Sequence, residues 1–251
     1  YWDRGISPAA HDGRVDVESL CPRTMMQVTA DESWLVLART NYQARRLAER
    51  LNEMHVPWTS TKARGGGWLP PKSVQGFSRL YDLANGAPID SEEWPHVLAV
   101  LPSKCEAGEL LTRGTKTQWT KSYARERNQT VKADELLQWG ATDLLAKLIK
   151  RQEWDRLIKN ASRYVDARRM YGWEATDQPP VRLGTIHSAK GAEADNVLWL
   201  TTTSTAIDRA CMAQKQYDEE CRVSYVAATR AEKRLLITVA LGILLAILLD
   251  Q

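Results

Sequence analysis

Two short runs near the end of the chain, Val197-Leu198-Trp199-Leu200 and Leu235-Leu236-Ile237, are apolar at every position. Neither alternates polar and apolar residues, so neither suits a strand with one wet face. A continuous run of this length suits a strand covered on both sides, which is the situation inside a parallel sheet flanked by helices. Strands are expected over residues 196–201 and 234–239, with a third over 181–186. An earlier segment has the same character. Trp34-Leu35-Val36-Leu37-Ala38 is another buried run, and Ala44, Leu47, Ala48, Leu51 and Met54 then recur at helical spacing. Met54-His55-Val56-Pro57-Trp58 resumes an extended path, because proline disfavours helix for the residue before it. Strand, helix and strand in this order make a βαβ unit, so the expected fold class is α/β with a parallel sheet.

The sheet-forming segments lie far apart in the chain. Gly65-Gly66-Gly67 and Pro70-Pro71 mark a break, and Pro179-Pro180 marks a second. Between them Val74, Phe77, Leu80, Tyr81 and Ala84 line a helix closed by Gly86, and Ser91, Glu92 and Glu93 are expected to start another. From Asp143 to Met170 the apolar positions predict two helices or one helix interrupted near Gln152. The expected organisation is a loop-rich lead-in over 1–30, a sheet domain from 31–62 plus 180–240, a mostly α-helical insertion subdomain over 63–179 and an apolar tail over 241–251.

Composition excludes several classes. With 43% hydrophobic and 26% charged residues the 251-residue chain is an ordinary globular one. A formal net charge of +3 is too small to drive nucleic-acid binding in bulk, so any such contact needs local clustering of Lys and Arg. Cys21, Cys105, Cys211 and Cys221 show no CxxC spacing and no histidine beside them, which argues against a zinc site and suits free thiols in a reducing cytoplasm. The apolar stretch from Leu241 to Leu249 is shorter than the roughly 20 residues a spanning helix needs, so it is expected to pack on protein, and no membrane partner is expected.

The polar stretch Thr185-Ile186-His187-Ser188-Ala189-Lys190-Gly191-Ala192-Glu193-Ala194-Asp195 sits between two expected strands. Loops at strand ends of open α/β sheets are where ligands bind, and this one joins hydroxyls, an imidazole, a cation and carboxylates. Gly191 is expected to let the backbone approach closely. A second string, Glu219-Glu220-Cys221-Arg222-Val223-Ser224-Tyr225-Val226-Ala227-Ala228-Thr229-Arg230-Ala231, precedes the last strand. Its two glutamates are expected in the first turn of a helix, where negative charge meets the positive end of the dipole, and Arg230 at that helix's end. A third, Val36-Leu37-Ala38-Arg39-Thr40-Asn41-Tyr42-Gln43-Ala44-Arg45, places Arg39 just past a strand.

In order and spacing these three strings resemble motifs V, VI and IV of UvrD-like superfamily-one DNA helicases. The resemblance implies a RecA-like domain, the second of two that hydrolyse ATP with Mg²⁺ and move along single-stranded DNA towards a duplex junction. It implies that Thr185, His187 and Lys190 face DNA, and that Glu193, with Gly191, reaches the nucleotide. It further implies that Arg230 and Arg39 contact the γ-phosphate, a role suited to an always-charged planar fork. Many relatives carry an aromatic residue before Arg39 to stack on adenine, whereas this chain has Ala38. The Ala-Lys-Gly core of the first string implies the three-prime to five-prime branch. Plainer readings stand beside these: Arg230 as a helix cap, and Arg222 as an ion-pair partner of the nearby glutamates. Arg113, Lys116, Lys121, Arg125 and Arg127 around Trp119 and Tyr123 suit either phosphates and bases or a solvated helix face. His11-Asp12-Gly13-Arg14-Val15-Asp16 reads as a turn.

No GxxxxGK[ST] loop occurs in the sequence, so the glycine cradle, its lysine and its Mg²⁺ hydroxyl are not in this chain. The expectation is the C-terminal motor part of a helicase, inactive as an ATPase alone and partnered by an N-terminal RecA-like domain. The alternative is a non-catalytic DNA-binding or interaction module with a helicase-derived fold.

Overall fold

The computed structural model describes residues 13–18, 29, 31–62, 66–122, 129–158 and 161–238. The chain divides into two compact units, residues 1–68 with 179–251, and residues 69–178.

The first unit is built on six strands: β1 (Arg14–Glu18), β2 (Trp34–Ala38), β3 (Trp58–Ser60), β8 (Val181–Thr185), β9 (Ala194–Leu200) and β10 (Ala231–Thr238), in the spatial order β1-β10-β9-β2-β8-β3. Every pairing in this sheet is parallel. All five residues of β2 are buried, as both-sided coverage requires. Helix α1 (Asn41–Glu53) follows β2 and starts at a capping box: Thr40 accepts from the Gln43 backbone, and the Gln43 side chain accepts from the Thr40 N–H at 3.0 Å. It buries Leu47 and Leu51. Helices α8 (Thr205–Ala210) and α9 (Gln214–Ala228) join β9 to β10. Leu35, Leu37, Ile186, Ala189, Val197, Ala227 and Leu235 meet in one core cluster.

Two sequence expectations change here. Residues 14–18 lie in the expected loop-rich lead-in and read as part of a turn, yet they form β1, in register with Arg234–Thr238. The alternation Arg-Val-Asp-Val-Glu is a strand pattern only five residues long, set among Gly and Pro, so it carried little weight by itself. Glu219 and Glu220 fall in the middle of α9, because the helix begins at Gln214. Its early residues are polar and lack a capping side chain, so no start signal was legible.

The second unit contains α2 (Pro71–Ala84), α3 (Trp94–Val100), α4 (Thr115–Ser122), α5 (Asp143–Arg151), α6 (Trp154–Leu157) and α7 (Ala161–Asp177). It also has two hairpin-sized sheets, β4 (Ile89–Asp90) with β7 (Thr130–Val131), and β5 (Lys104–Cys105) with β6 (Gly108–Glu109). Ser91–Glu93 is a turn rather than a helix start; α3 begins at Trp94. Gln152 ends α5 in the left-handed conformation at φ 55°, which breaks the helical run at the expected place. A polar network ties α2 to α7. Ser78 and the Tyr164 hydroxyl donate to the Asp177 carboxylate at 2.8 and 2.9 Å, while Arg168 donates to Asp82 and lies over the Tyr81 ring. Trp119 is buried and stacked on Trp139 with centroids 4.5 Å apart, so it is not a platform for bases. Lys116 donates to the Leu101 carbonyl at 2.5 Å. Of the remaining basic cluster, residues 123–128 lie outside the described residues, as do the apolar tail and residues 11 and 12.

Candidate functional site

The polar loop after β8 is anchored from below. Thr185 caps a 3-10 turn over Ile186–Ala189, with its Oγ1 accepting from the Ser188 N–H, and Ile186 and Ala189 enter the core. That spacing leaves His187 and Lys190 on the outside, both exposed. The Ser188 hydroxyl is held by the Thr185 carbonyl at 2.8 Å and by the Thr61 hydroxyl at 2.6 Å. Gly191 has φ 80° with nothing within 4 Å of a would-be Cβ. Glycine serves the left-handed backbone there.

Arg39 leaves the end of β2 and meets this loop. Its Nε and Nη2 donate to the two oxygens of Glu220 at 2.8 and 2.6 Å, a bidentate pair, and Nη1 contacts His187 Nε2 at 3.0 Å. A guanidinium can only donate, so Nε2 is the acceptor in this contact. The pair is mostly covered, with side-chain exposures of 19% and 14%. The hydrogen bond to Glu220 raises the Arg39 pKa further, and the same bond holds the Glu220 carboxyl below its ordinary value. Arg39, Thr185 and His187 line one open cleft of about 550 Å³ together with Asn41, Lys62 and Ser188.

Arg230 follows the end of α9 and stands directly before β10. Its Nε donates to the Val226 carbonyl at 3.1 Å, capping the helix, and its Nη1 lies 4.0 Å from Glu193 Oε1. Glu193 is 60% exposed, and its backbone carbonyl accepts from Arg182. Lys190 has no hydrogen-bond or ion-pair partner among the described residues, and neither does Arg222, which is exposed on α9.

The structure thus sorts the expected site residues into two groups. Arg39, Thr185 and His187 stand past the C-terminal ends of β2 and β8, whereas Glu193 and Arg230 stand before the N-terminal ends of β9 and β10, where Ala194 and Ala231 are in register. Because the strands are parallel, the two groups lie at opposite ends of the sheet, about 20 Å apart at roughly 3.3 Å per strand residue. The two guanidinium groups meet α9 six residues apart, Arg39 at Glu220 and Arg230 at Val226, and share no partner there. Motif order along the chain could not reveal this, since it takes the register of β2 against β9 to place them. Lys62, Thr61 and Glu220 are members of the first group that sequence reading did not assign; Glu220 was legible only as a charge on a helix. Among the described residues no group of three or more His, Cys, Asp or Glu could hold a metal ion, and no helix is long and apolar enough to cross a membrane.

No curated protein matches the chain. Residues 118–242 match the family model of the UvrD-like helicase C-terminal domain, over a stretch that includes the loop after β8, all of α9 and Arg230. An α/β domain with a parallel six-stranded sheet and this match agree, and the chain carries a UvrD-like helicase C-terminal domain.

Proposed function

We propose that the chain is the C-terminal motor part of an ATP-dependent UvrD-like DNA translocase or helicase, working in the three-prime to five-prime direction. The observation that carries this reading is the loop from Thr185 to Glu193, which runs from one end of the sheet to the other. At its first end Thr185 and His187, with Lys190 beyond them and Arg39 and Lys62 beside them, form a cationic, hydroxyl-lined cleft suited to the phosphates of a single strand. At its far end Glu193 and Arg230 present a carboxylate for a ribose hydroxyl and a guanidinium for a γ-phosphoryl group. These two residues suit contact with a nucleotide from one side; the glycine cradle and Mg²⁺ ligands would belong to an N-terminal RecA-like domain. ATP supplies the hydrolysable phosphoanhydride when bound there. Arg39 is reassigned from the nucleotide to the strand-facing end.

The resident hydrogen bond from Arg230 to Val226 is what a purely structural arginine would also make, and it favours the second reading, a non-catalytic DNA-binding module. Hydrolysis separates the two. The chain alone is expected to bind a thymidine oligonucleotide without appreciable ATP turnover. Combined with a nucleotide-binding partner domain it is expected to support DNA-stimulated hydrolysis that Arg230→Ala lowers by about 10³-fold or more. Turnover indifferent to Arg230→Ala would sink the motor reading, and robust turnover by the chain alone would overturn the division of the site.

A further inference from the structure

The loop that joins the two ends of the sheet is not their sole connection. Helix α9 carries Glu220 towards one end and ends eight residues on at Ala228, about 12 Å along its axis at 1.5 Å per residue, with Arg230 following at the other end. Both connections are tied together at both ends. At the cleft, His187 of the loop contacts Arg39, whose other two nitrogens grip Glu220 of α9. At the far end Arg230, anchored on α9 through Val226, faces Glu193 of the same loop. Loop and helix thus form a closed frame with a contact at each corner.

The corner at the cleft is the firmer one. It has two charge-assisted bonds of 2.8 and 2.6 Å in a largely covered position, against a single 4.0 Å approach to an exposed carboxylate at the other. It also borders the cleft itself, so a phosphate seated there competes with Glu220 for the same guanidinium.

We infer that Arg39 and Glu220 are positioning residues whose pair transmits occupancy of the strand-facing cleft to Arg230 through α9. The inference rests on the proposed assignment of the two ends to DNA and nucleotide. A phosphate that draws Arg39 away loosens the hold on α9, and the arginine at that helix's end then changes its setting. The effect is reciprocal, as any coupling between two sites must be.

The Nε–H groups of Arg39 and Arg230 both sit in hydrogen bonds, so they exchange slowly enough to observe by nitrogen-15 NMR on the whole chain. Adding a short thymidine oligonucleotide is expected to shift both signals, assigned through Arg39→Lys and Arg230→Lys. In Glu220→Gln the Arg230 response at saturating oligonucleotide falls by about fivefold. Glu220→Asp, which keeps the charge, retains most of the response. Glu219→Gln, an exposed neighbour, behaves like the unaltered chain. An Arg230 response unchanged in Glu220→Gln, or no Arg230 response in an unaltered chain that binds DNA, overturns the clamp and leaves the functional assignment standing. A chain that does not bind the oligonucleotide overturns both.

Discussion

Arg39 and Asp195 show how much of this domain is decided by single charged groups placed at strand ends. Asp195, the second residue of β9, accepts from the Ser33 N–H and hydroxyl at 2.9 and 2.7 Å and pairs with Lys233 at 2.8 Å. It thereby ties the residue before β2 to β9 and β10. The hydrogen bond from Lys233, then those from Ser33, hold its carboxyl well below the usual carboxylate range. A carboxyl depressed in the folded state stabilises the fold above its unfolded pKa and loses that contribution as pH falls through the folded value. Asp195→Asn is therefore expected to cost about 1 kcal/mol at neutral pH, where urea unfolding compares it with the unaltered chain. The two unfolding midpoints should converge in strongly acid solution. A gap that stays constant across that range would show that packing of Asp195, and not its charge, is what matters. The sequence marked Asp195 only as the end of a polar loop, because its partners Ser33 and Lys233 come from segments far along the chain.

Among the elements, the strands with continuous apolar runs were legible because burial on both faces leaves no room for a polar residue. β2 forms over the residues expected from its run, and β8 and β9 begin or end within two residues of theirs. Amphipathic α1 followed from its apolar spacing and is fixed by Thr40. β1 and the start of α9 were not legible, since a five-residue alternation and an uncapped polar turn carry no distinctive local signal. Gly184 is a case where the sequence showed a glycine and only packing explains it. Its position in β8 faces the hydroxyls of Thr61 and Ser188, and a Cβ there would overlap the first and reach 2.6 Å from the second. Gly184→Ala must push apart the Thr61–Ser188 hydrogen bond that supports the 3-10 turn under His187. The expected outcome is a loss of about 1–3 kcal/mol in urea unfolding, with weaker oligonucleotide binding, because the turn carries the cleft-lining histidine. Adding Thr61→Ala should return part of the stability, since it removes the hydroxyl that the new Cβ would overlap. Failure of that second change to restore anything would place the strain elsewhere.

At the scale of the whole molecule, the sheet unit is assembled from two stretches of chain and the helical unit from one. The point where the chain leaves the sheet lies beside the point where it returns. Gly67 pairs with Thr59, and the Trp68 N–H donates to the Trp58 carbonyl, so residues 67 and 68 run alongside β3. On its other side β3 is in register with β8, Trp58 opposite Val181. Two strand spacings of about 4.8 Å therefore separate the exit near Trp68 from the return near Val181, or roughly 10 Å. A linker of about four to six residues, each reaching at most about 3.5 Å, spans that gap with slack to turn. The Trp34 N–H donates to the Pro180 carbonyl at 2.8 Å and helps fix where the returning chain begins. Replacing residues 69–178 by such a Gly/Ser linker is expected to leave a sheet domain that unfolds cooperatively, with the Nε–H signals of Arg39 and Arg230 near their positions in the full chain. If the linked sheet domain is unfolded while a linker of twice the length does no better, the sheet depends on residues 69–178 for more than connection. If it folds, the frame of loop, Arg39, Glu220 and α9 belongs to the sheet domain alone, and the oligonucleotide response at Arg230 should survive the excision.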